Sequence, residues 1–236
     1  MIFRQLFEPE SSTYTYLLGC PETRAAVLVD PVLETVERDL AALQGLRLHL
    51  AWTLETHVHA DHVTSAARLR SLTGSRIACP AVDGLPDADM GVSEVEPLTF
   101  GAVTLKPLFT PGHTDSHHCY LVETPGALRV LTGDALLIDG CGRTDFQGGS
   151  AEALYRSVHD KIFTLPDDTL VHPGHDYPGR RVSNVAQERA RNPRLGGGRS
   201  LEEFVAIMAA LDLPRPKKID VAVPANRHCG RMDDAA

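Results

Sequence analysis

Apolar and polar residues are sorted into short runs over the first third of the chain: IFRQLF (Ile2 to Phe7), TYTYLL (Thr13 to Leu18) and AAVLVD (Ala25 to Asp30), which Pro31 closes. Runs of this length separated by turn residues predict an antiparallel meander entering a sheet. The period then changes. In VLETVERDLAALQG the apolar positions Val32, Val36, Leu40 and Leu43 step by three or four, and Gly45 follows as a stop, so a helix is predicted. LHLAWTLE (Leu48 to Glu55) reads as a buried strand, and VTSAARLRSLTG (Val63 to Gly74) as a second helix ended by its glycine.

Further strands are predicted at RIAC (Arg76 to Cys79), VTLKPLF (Val103 to Phe109), CYLVE (Cys119 to Glu123) and LRVLTGD (Leu128 to Asp134). ALYRSVHDKIF carries Leu154, Val158 and Ile162 at four-residue steps, a helical face. TLVHPGHDYPG then repeats a strand that breaks into a histidine-bearing loop. Near the end, Ser200 and Glu203 form a capping box ahead of Leu201, Phe204, Val205, Met208 and Leu211 on one helical face. NPRLGGGRS (Asn192 to Ser200) is expected to be a flexible joint. Strands in two batches, with helices between and after them, predict a sheet core in two layers flanked by helices. One domain is expected over residues 1–236, with a helical C-terminal extension from about residue 180.

Composition narrows the function. A chain of 236 residues with 43% hydrophobic content suits one enzyme-sized domain. Lys and Arg number 23 against 31 Asp and Glu, a net charge of -8, which opposes a broad electrostatic footprint on nucleic acid or anionic lipid. The start, MIFRQLFEPE, lacks the charged and then apolar regions of a signal peptide, and nowhere do about 20 apolar residues run together as a membrane span requires. Cys20, Cys79, Cys119, Cys141 and Cys229 are scattered and form no C-x-x-C pair, so neither a disulfide framework nor a zinc knuckle is indicated. A soluble protein of the reducing cytoplasm is expected. Cys141, in the loop GCGRTD, is the one cysteine with a candidate role beyond packing.

The chemistry gathers where strands end. THVHADH (Thr56 to His62) packs three histidines and an aspartate behind LHLAWTL, while PGHT (Pro111 to Thr114), TGD (Thr132 to Asp134) and PGHD (Pro173 to Asp176) each follow a strand-like run. Alternate residues of an extended segment point the same way, so His57 and His59 can face one metal while Asp61 and His62 face a neighbouring position. Imidazole and carboxylate in this mixture are ligands of zinc and iron. His49, His117, His118, His159, His172 and His228 lack such company and are expected to be surface or hydrogen-bonded residues. The donor inventory alone leaves one metal or two open.

H-x-H-x-D-H followed by the single His of PGHT, the Asp of TGD and the His of PGHD resembles the metallo-β-lactamase superfamily over about Tyr14 to Tyr177. The resemblance implies an α/β fold, the αββα four-layer sandwich, with the metal site at one edge of the two packed sheets. In binuclear members the residues matching His57, His59 and His113 hold one metal and those matching Asp61, His62 and His175 the other, with Asp134 bridging. ALLIDGCGRTDFQGG (Ala135 to Gly149), LYRSVHDKIFTLPDDTLVHPGHDY and PRPKKIDVAVPAN resemble, more narrowly, the persulfide dioxygenases, the ethylmalonic encephalopathy protein family and its bacterial relatives. The glyoxalase II family shares a GCGR loop but continues with an aromatic-rich FFEG-like segment where this chain has Thr144-Asp145-Phe146-Gln147, and its helical C-terminal region is longer than the roughly 60 residues after His175 here.

The narrower resemblance implies one Fe(2+) per chain held by His57, His113 and Asp134, with His59, Asp61, His62 and His175 around the metal without binding it. It implies a dioxygenase that converts glutathione persulfide and O2, with water, to sulfite and glutathione; the competing reading is a binuclear hydrolase of glutathione thioesters. A metal-bound scaffold without catalysis is a third reading. A substrate with two carboxylates and an ammonium needs fixed charges, and the candidates are Arg143 for a carboxylate, Asp145 for the ammonium, Tyr177 beside His175, and Lys217 for the glycyl carboxylate. The resemblance leaves room for a homodimer and for a functional link to a separate rhodanese-type sulfurtransferase; a chain of this length is expected to carry no fused rhodanese-like domain.

Overall fold

In the computed structural model, which describes residues 1–232 of the chain, the amino-terminal runs form β1 (Ile2–Glu8), β2 (Thr13–Gly19) and β3 (Ala25–Val29), paired antiparallel in chain order. Residues 233–236, the end of the expected single domain, lie outside the described residues. The sheet continues with β4 (His49–Leu54), β5 (Arg76–Pro80) and β6 (Met90–Val92), each parallel to its predecessor. Parallel neighbours need a crossover, and α1 (Val36–Gly45) and α2 (Ala66–Thr73) supply two of them. Val36 and Leu43 of α1 and Leu69 of α2 pack on Leu17, Leu28 and Leu50 of the strands. The consequence for chemistry is positional: β3 and β4 end at the same edge, so Asp30 and the segment from Glu55 to His62 emerge side by side.

The second sheet runs β12-β11-β10-β9-β8-β7, with β7 (Leu98–Phe100), β8 (Val103–Phe109), β9 (His118–Thr124), β10 (Ala127–Gly133), β11 (Leu170–Pro173) and β12 (Ser183–Asn184). β10 and β11 are parallel, and β8 and β10 are each antiparallel to β9, so β8, β10 and β11 share a direction. Thr110 to His113, Asp134 and His175 therefore leave the sheet at one edge. α3 (Ala151–Ser157), α4 (Val185–Arg191) and α5 (Leu201–Ala209) contribute Leu154, Val185, Phe204 and Met208 to a core with Val130 and Val171, whereas α6 (Ile219–Asn226) belongs with the first sheet. Two compact units result, Met1–Leu105 with the segment from Arg215 onward, and Lys106–Pro214.

Several elements differ from expectation. The helix predicted from Val32 opens with a 3-10 turn at Leu33–Thr35, and that predicted from Val63 begins at Ala66. α3 continues into a π turn over Val158–Ile162. The expected flexible joint at NPRLGGGRS is a tight, braced turn: Leu195 and Asn192 are buried, the Gly196 and Gly197 amides bond Asn192 O and Arg189 O, and Arg194 Nη1 donates to Cys141 O at 2.8 Å. All five cysteines are buried as small apolar residues and none forms a disulfide. Cys141 packs on Met208, and burial pushes its thiol up to about 11 against the opposing pull of Arg194, so it holds no thiolate at neutral pH. No helix among the described residues is long and apolar enough to cross a membrane.

Candidate metal centre

Asp30 organises the donors of the first unit. Its buried carboxylate accepts the Thr56 amide at 2.7 Å and the Thr56 hydroxyl at 2.9 Å, and its Oδ1 lies 3.1 Å from His59 Nε2. A carboxylate only accepts, so the Thr56 hydroxyl spends its proton on Asp30 and receives one from His57 Nδ1 at 2.9 Å. That network sets His57 in the Nδ1–H tautomer, with Nε2 as the lone-pair nitrogen a metal needs. His59 is oriented the other way round. Its Nε2 sits between Asp30 and Glu55 Oε2, 3.4 Å away, and its buried Nδ1 has no hydrogen-bond partner among the described residues. Burial lowers the His59 imidazole, but Asp30 and Glu55 outweigh it and raise the ring well above its ordinary value.

His62 Nδ1 is 2.9 Å from Asp61 Oδ2, and its buried Nε2 also lacks a partner. The His57 and His59 rings lie 4.1 Å apart and those of His59 and His62 4.3 Å. Ligand atoms of His59, Asp61 and His62 lie within 4.8 Å of one another.

In the second unit, His113 Nδ1 donates to Arg143 O at 2.7 Å, which turns His113 Nε2 toward Asp134, 3.5 Å from Oδ2. His175 Nε2 lies 3.5 Å from the other carboxylate oxygen, Oδ1, which is buried without a hydrogen bond. Donors about 2.1 Å from a common metal sit about 3–3.4 Å apart, so these spacings match ligands that flank an ion. The Asp134 amide donates to His117 Nε2 at 3.2 Å, and His117 Nδ1 turns to Thr110 Oγ1 at 3.0 Å, which fixes that ring as a neutral brace. Gly142 completes the cradle: a Cβ there would fall 2.5 Å from Asp134 O and 2.7 Å from His113 Nδ1, so no other residue fits unshifted.

The expected substrate contacts fall in different settings. Arg143 and Asp145 face each other: Nε to Oδ1 is 2.6 Å and Nη2 to Oδ2 is 2.7 Å, while Nη1 bonds Pro214 O at 2.7 Å and the guanidinium covers the Phe146 ring. The pair raises the Arg143 guanidinium and holds the Asp145 carboxyl below its usual range, in each case chiefly through the hydrogen bonds between them. Tyr177 is 77% exposed, its ring parallel to that of His175 at 6.3 Å. Lys217 is exposed; its neighbour Lys218 is the paired one, 2.7 Å from Glu34.

Nothing local in the sequence marks Asp30 or Glu55 as part of the site; each reads as a strand end. The positive φ of 50° at Asp30, directly before Pro31, is a conformation Asp and Asn tolerate better than other residues, yet φ is invisible in sequence. Of the histidines set aside, His117 braces Asp134, His159 bonds Leu195 O, His228 pairs with Asp87, and His172, pulled down to about 3 by burial and Arg129, is neutral.

The sequence profile of the metallo-β-lactamase superfamily matches residues 9–175. The human protein named persulfide dioxygenase ETHE1, mitochondrial, is 50% identical over 98% of this chain and 89% of its own length, and the mouse protein of that name is 49% identical over the same shares. The crystal structure of ETHE1 from Myxococcus xanthus superimposes with a TM-score of 0.93 at 53% identity, covering 98% of this chain and all of that one. A hydroxyacylglutathione hydrolase from a Polaromonas strain is more distant, 35% identical over 80% of this chain and 70% of its own. The fold is that of the metallo-β-lactamases, with two mixed sheets and flanking helices, and the chain belongs to the persulfide dioxygenase family of that superfamily.

Proposed function

We propose that the protein is a persulfide dioxygenase acting on glutathione persulfide at a single ferrous ion held by His57, His113 and Asp134. The observation that carries the activity is identity of about half over 98% of the chain to proteins named for it. The metal assignment is supported by the chemistry of the donors: Asp134 Oδ1, buried without a hydrogen bond among the described residues, is costly unless a cation takes it. Two histidines and one carboxylate suit a non-haem iron with positions open for substrate and O2. The family match crosses the division between the two compact units, which supports reading residues 1–236 as one domain with its helical extension from about residue 180.

Iron bound there would supply the redox-active centre that lets triplet dioxygen react with a closed-shell persulfide, which zinc lacks. The chain's own residues prepare it. Asp30 through Thr56 sets the His57 tautomer, the Arg143 carbonyl aims His113, and His117 holds the Asp134 backbone. Both atoms of O2 end on the outer sulfur, and hydrolysis of the sulfur–sulfur bond releases sulfite and glutathione; one persulfide, one O2 and one water are consumed. Oxygen uptake that requires glutathione persulfide and equals the sulfite formed tests this reading, and sulfite formed without oxygen uptake refutes it. Production of glutathione persulfide is sulfurtransferase chemistry, the class of reaction that supplies this substrate. Five cysteines outside any disulfide suit the reducing cytoplasm as the compartment.

A second ion, held by His59, Asp61 and His62, is favoured by their convergence and by the unpartnered His59 Nδ1 and His62 Nε2. In that reading His59 binds through Nδ1, since its Nε2 is held by Asp30 and Glu55.

Arg143 can meet a substrate carboxylate only by opening its pair with Asp145, so a carboxylate-binding role for Arg143, with Asp145 as its competing partner rather than an ammonium acceptor, predicts opposite effects of the two truncations. Arg143→Ala should raise KM for glutathione persulfide about tenfold or more while sparing iron. Asp145→Ala releases the guanidinium fork and should lower KM or leave it unchanged. Equal losses in both, extending to a small persulfide without carboxylates, would make the pair a loop brace.

A further inference from the structure

Residues 55–63, which carry the H-x-H-x-D-H motif, lie outside every helix and strand, so their backbone polar groups need partners from elsewhere. Asp30, Ala78 and Leu33 serve the ends of the stretch, and the C-terminal segment of the same unit serves its middle. Asn226, the last residue of α6 and 4% exposed, donates its Nδ2 protons to His59 O at 2.9 Å and His62 O at 2.8 Å, and its Oδ1 accepts the Thr64 amide at 2.9 Å. Flipping the carboxamide would set oxygen against two carbonyls and NH2 against an N–H, so the orientation is determined. Two further contacts close on the same stretch. Gly230, at φ +83, lies so near Thr64 that a Cβ would fall 2.1 Å from its carbonyl oxygen, and the Ala67 amide donates to Cys229 O at 2.9 Å. Ala222 and Ala225 of α6 pack on Val63.

We infer that Asn226 is a positioning residue for the metal-binding loop: its carboxamide, seated by Gly230, holds the backbone from His59 to Thr64 in the shape that presents the loop's imidazoles. The inference rests on the reading of this loop as part of the iron site, and it assigns the C-terminal extension a part in the chemistry although α6 contributes no ligand. An alternative, that α6 merely fills space, makes a different demand on residue 226. Asp is the same size as Asn and keeps the acceptor for Thr64, but it replaces the two donated protons with an oxygen that repels the His59 and His62 carbonyls. Packing alone tolerates Asn226→Asp; positioning does not.

Hydrogen exchange read by mass spectrometry on the full chain, as purified with its metal and again after chelation, separates the two. In Asn226→Asp and Asn226→Ala, amides within residues 57–64 should exchange about ten- to a hundredfold faster, while β1 to β3 of the same unit keep their protection. Gly230→Ala, which leaves the carboxamide intact but pushes the segment off Thr64, should open the same stretch. With iron bound, kcat should fall more than KM changes, and the electron paramagnetic resonance spectrum of the nitric oxide adduct should broaden. Unchanged exchange at 57–64 in Asn226→Asp, or faster exchange spread evenly through the unit, overturns the inference. Because exchange after chelation is independent of turnover, a failed dioxygenase assay with a positive exchange result would fault the proposed activity and leave the positioning role intact.

Discussion

His113→Ala and Asp134→Ala proteins are expected to fold and to bind iron at least about a hundredfold more weakly than the parent, with dioxygenase activity lost in proportion. Removing a group that merely orients a ligand already costs ten- to a hundredfold in affinity, and under the proposed assignment these substitutions remove one of three ligands outright. Both side chains sit at strand ends, His113 after β8 and Asp134 after β10, so neither truncation cuts into the core formed by Val130, Leu154 and Phe204. Elemental analysis of the folded variants measures the effect, and His62→Ala is the control that should keep most of its iron. Iron lost equally from His62→Ala and His113→Ala would mean that the second donor set binds metal too.

Asp30→Ala is expected to be the most destabilising single change in the first unit. The carboxylate is 1% exposed and takes three contacts, from the Thr56 amide, the Thr56 hydroxyl and His59 Nε2. Truncation leaves the Thr56 amide and hydroxyl buried without this acceptor and His59 Nε2 with Glu55 alone, a loss of about 3–5 kcal/mol. For a chain of this size that corresponds to a fall in Tm of about 6–20 °C, measured on metal-free protein so that metal loss does not contribute. Asp30→Asn keeps the size and tolerates the positive φ, and should cost less stability; yet its NH2 must face a donor, so it should still disturb the His57 tautomer and weaken iron binding. A Tm within about 2 °C of the parent in Asp30→Ala would contradict the role given to this carboxylate.

What sequence discloses about this site is the part written locally. The motif from His57 to His62, the single histidines after PG and the aspartate of TGD sit at strand ends that period and turn residues mark out, and the order of the motifs points to the family. The part it conceals is written across the chain. Asp30 meets Thr56 and His59 only because β3 and β4 are parallel neighbours, and the partners of Asn226 lie more than a hundred and fifty residues earlier. In sequence Arg143 and Asp145 are two separate charges that suit a substrate, and their bidentate pair follows from the bend of one loop, which residue types do not reveal. β6, β7 and β12 span three, three and two residues, too short for alternation to register. α6 was hidden by Pro224, which reads as a breaker but sits inside the helix.

The central claim is a single redox-active iron in a family whose fold also hosts binuclear hydrolases. Metal content per chain, determined on protein purified without added metal and set beside oxygen uptake with glutathione persulfide and hydrolysis of S-lactoylglutathione on the same sample, tests it most directly. The account predicts one iron per chain, oxygen consumption matched by sulfite, and negligible thioester hydrolysis. Two zinc ions per chain with rapid thioester hydrolysis and no oxygen uptake would contradict it.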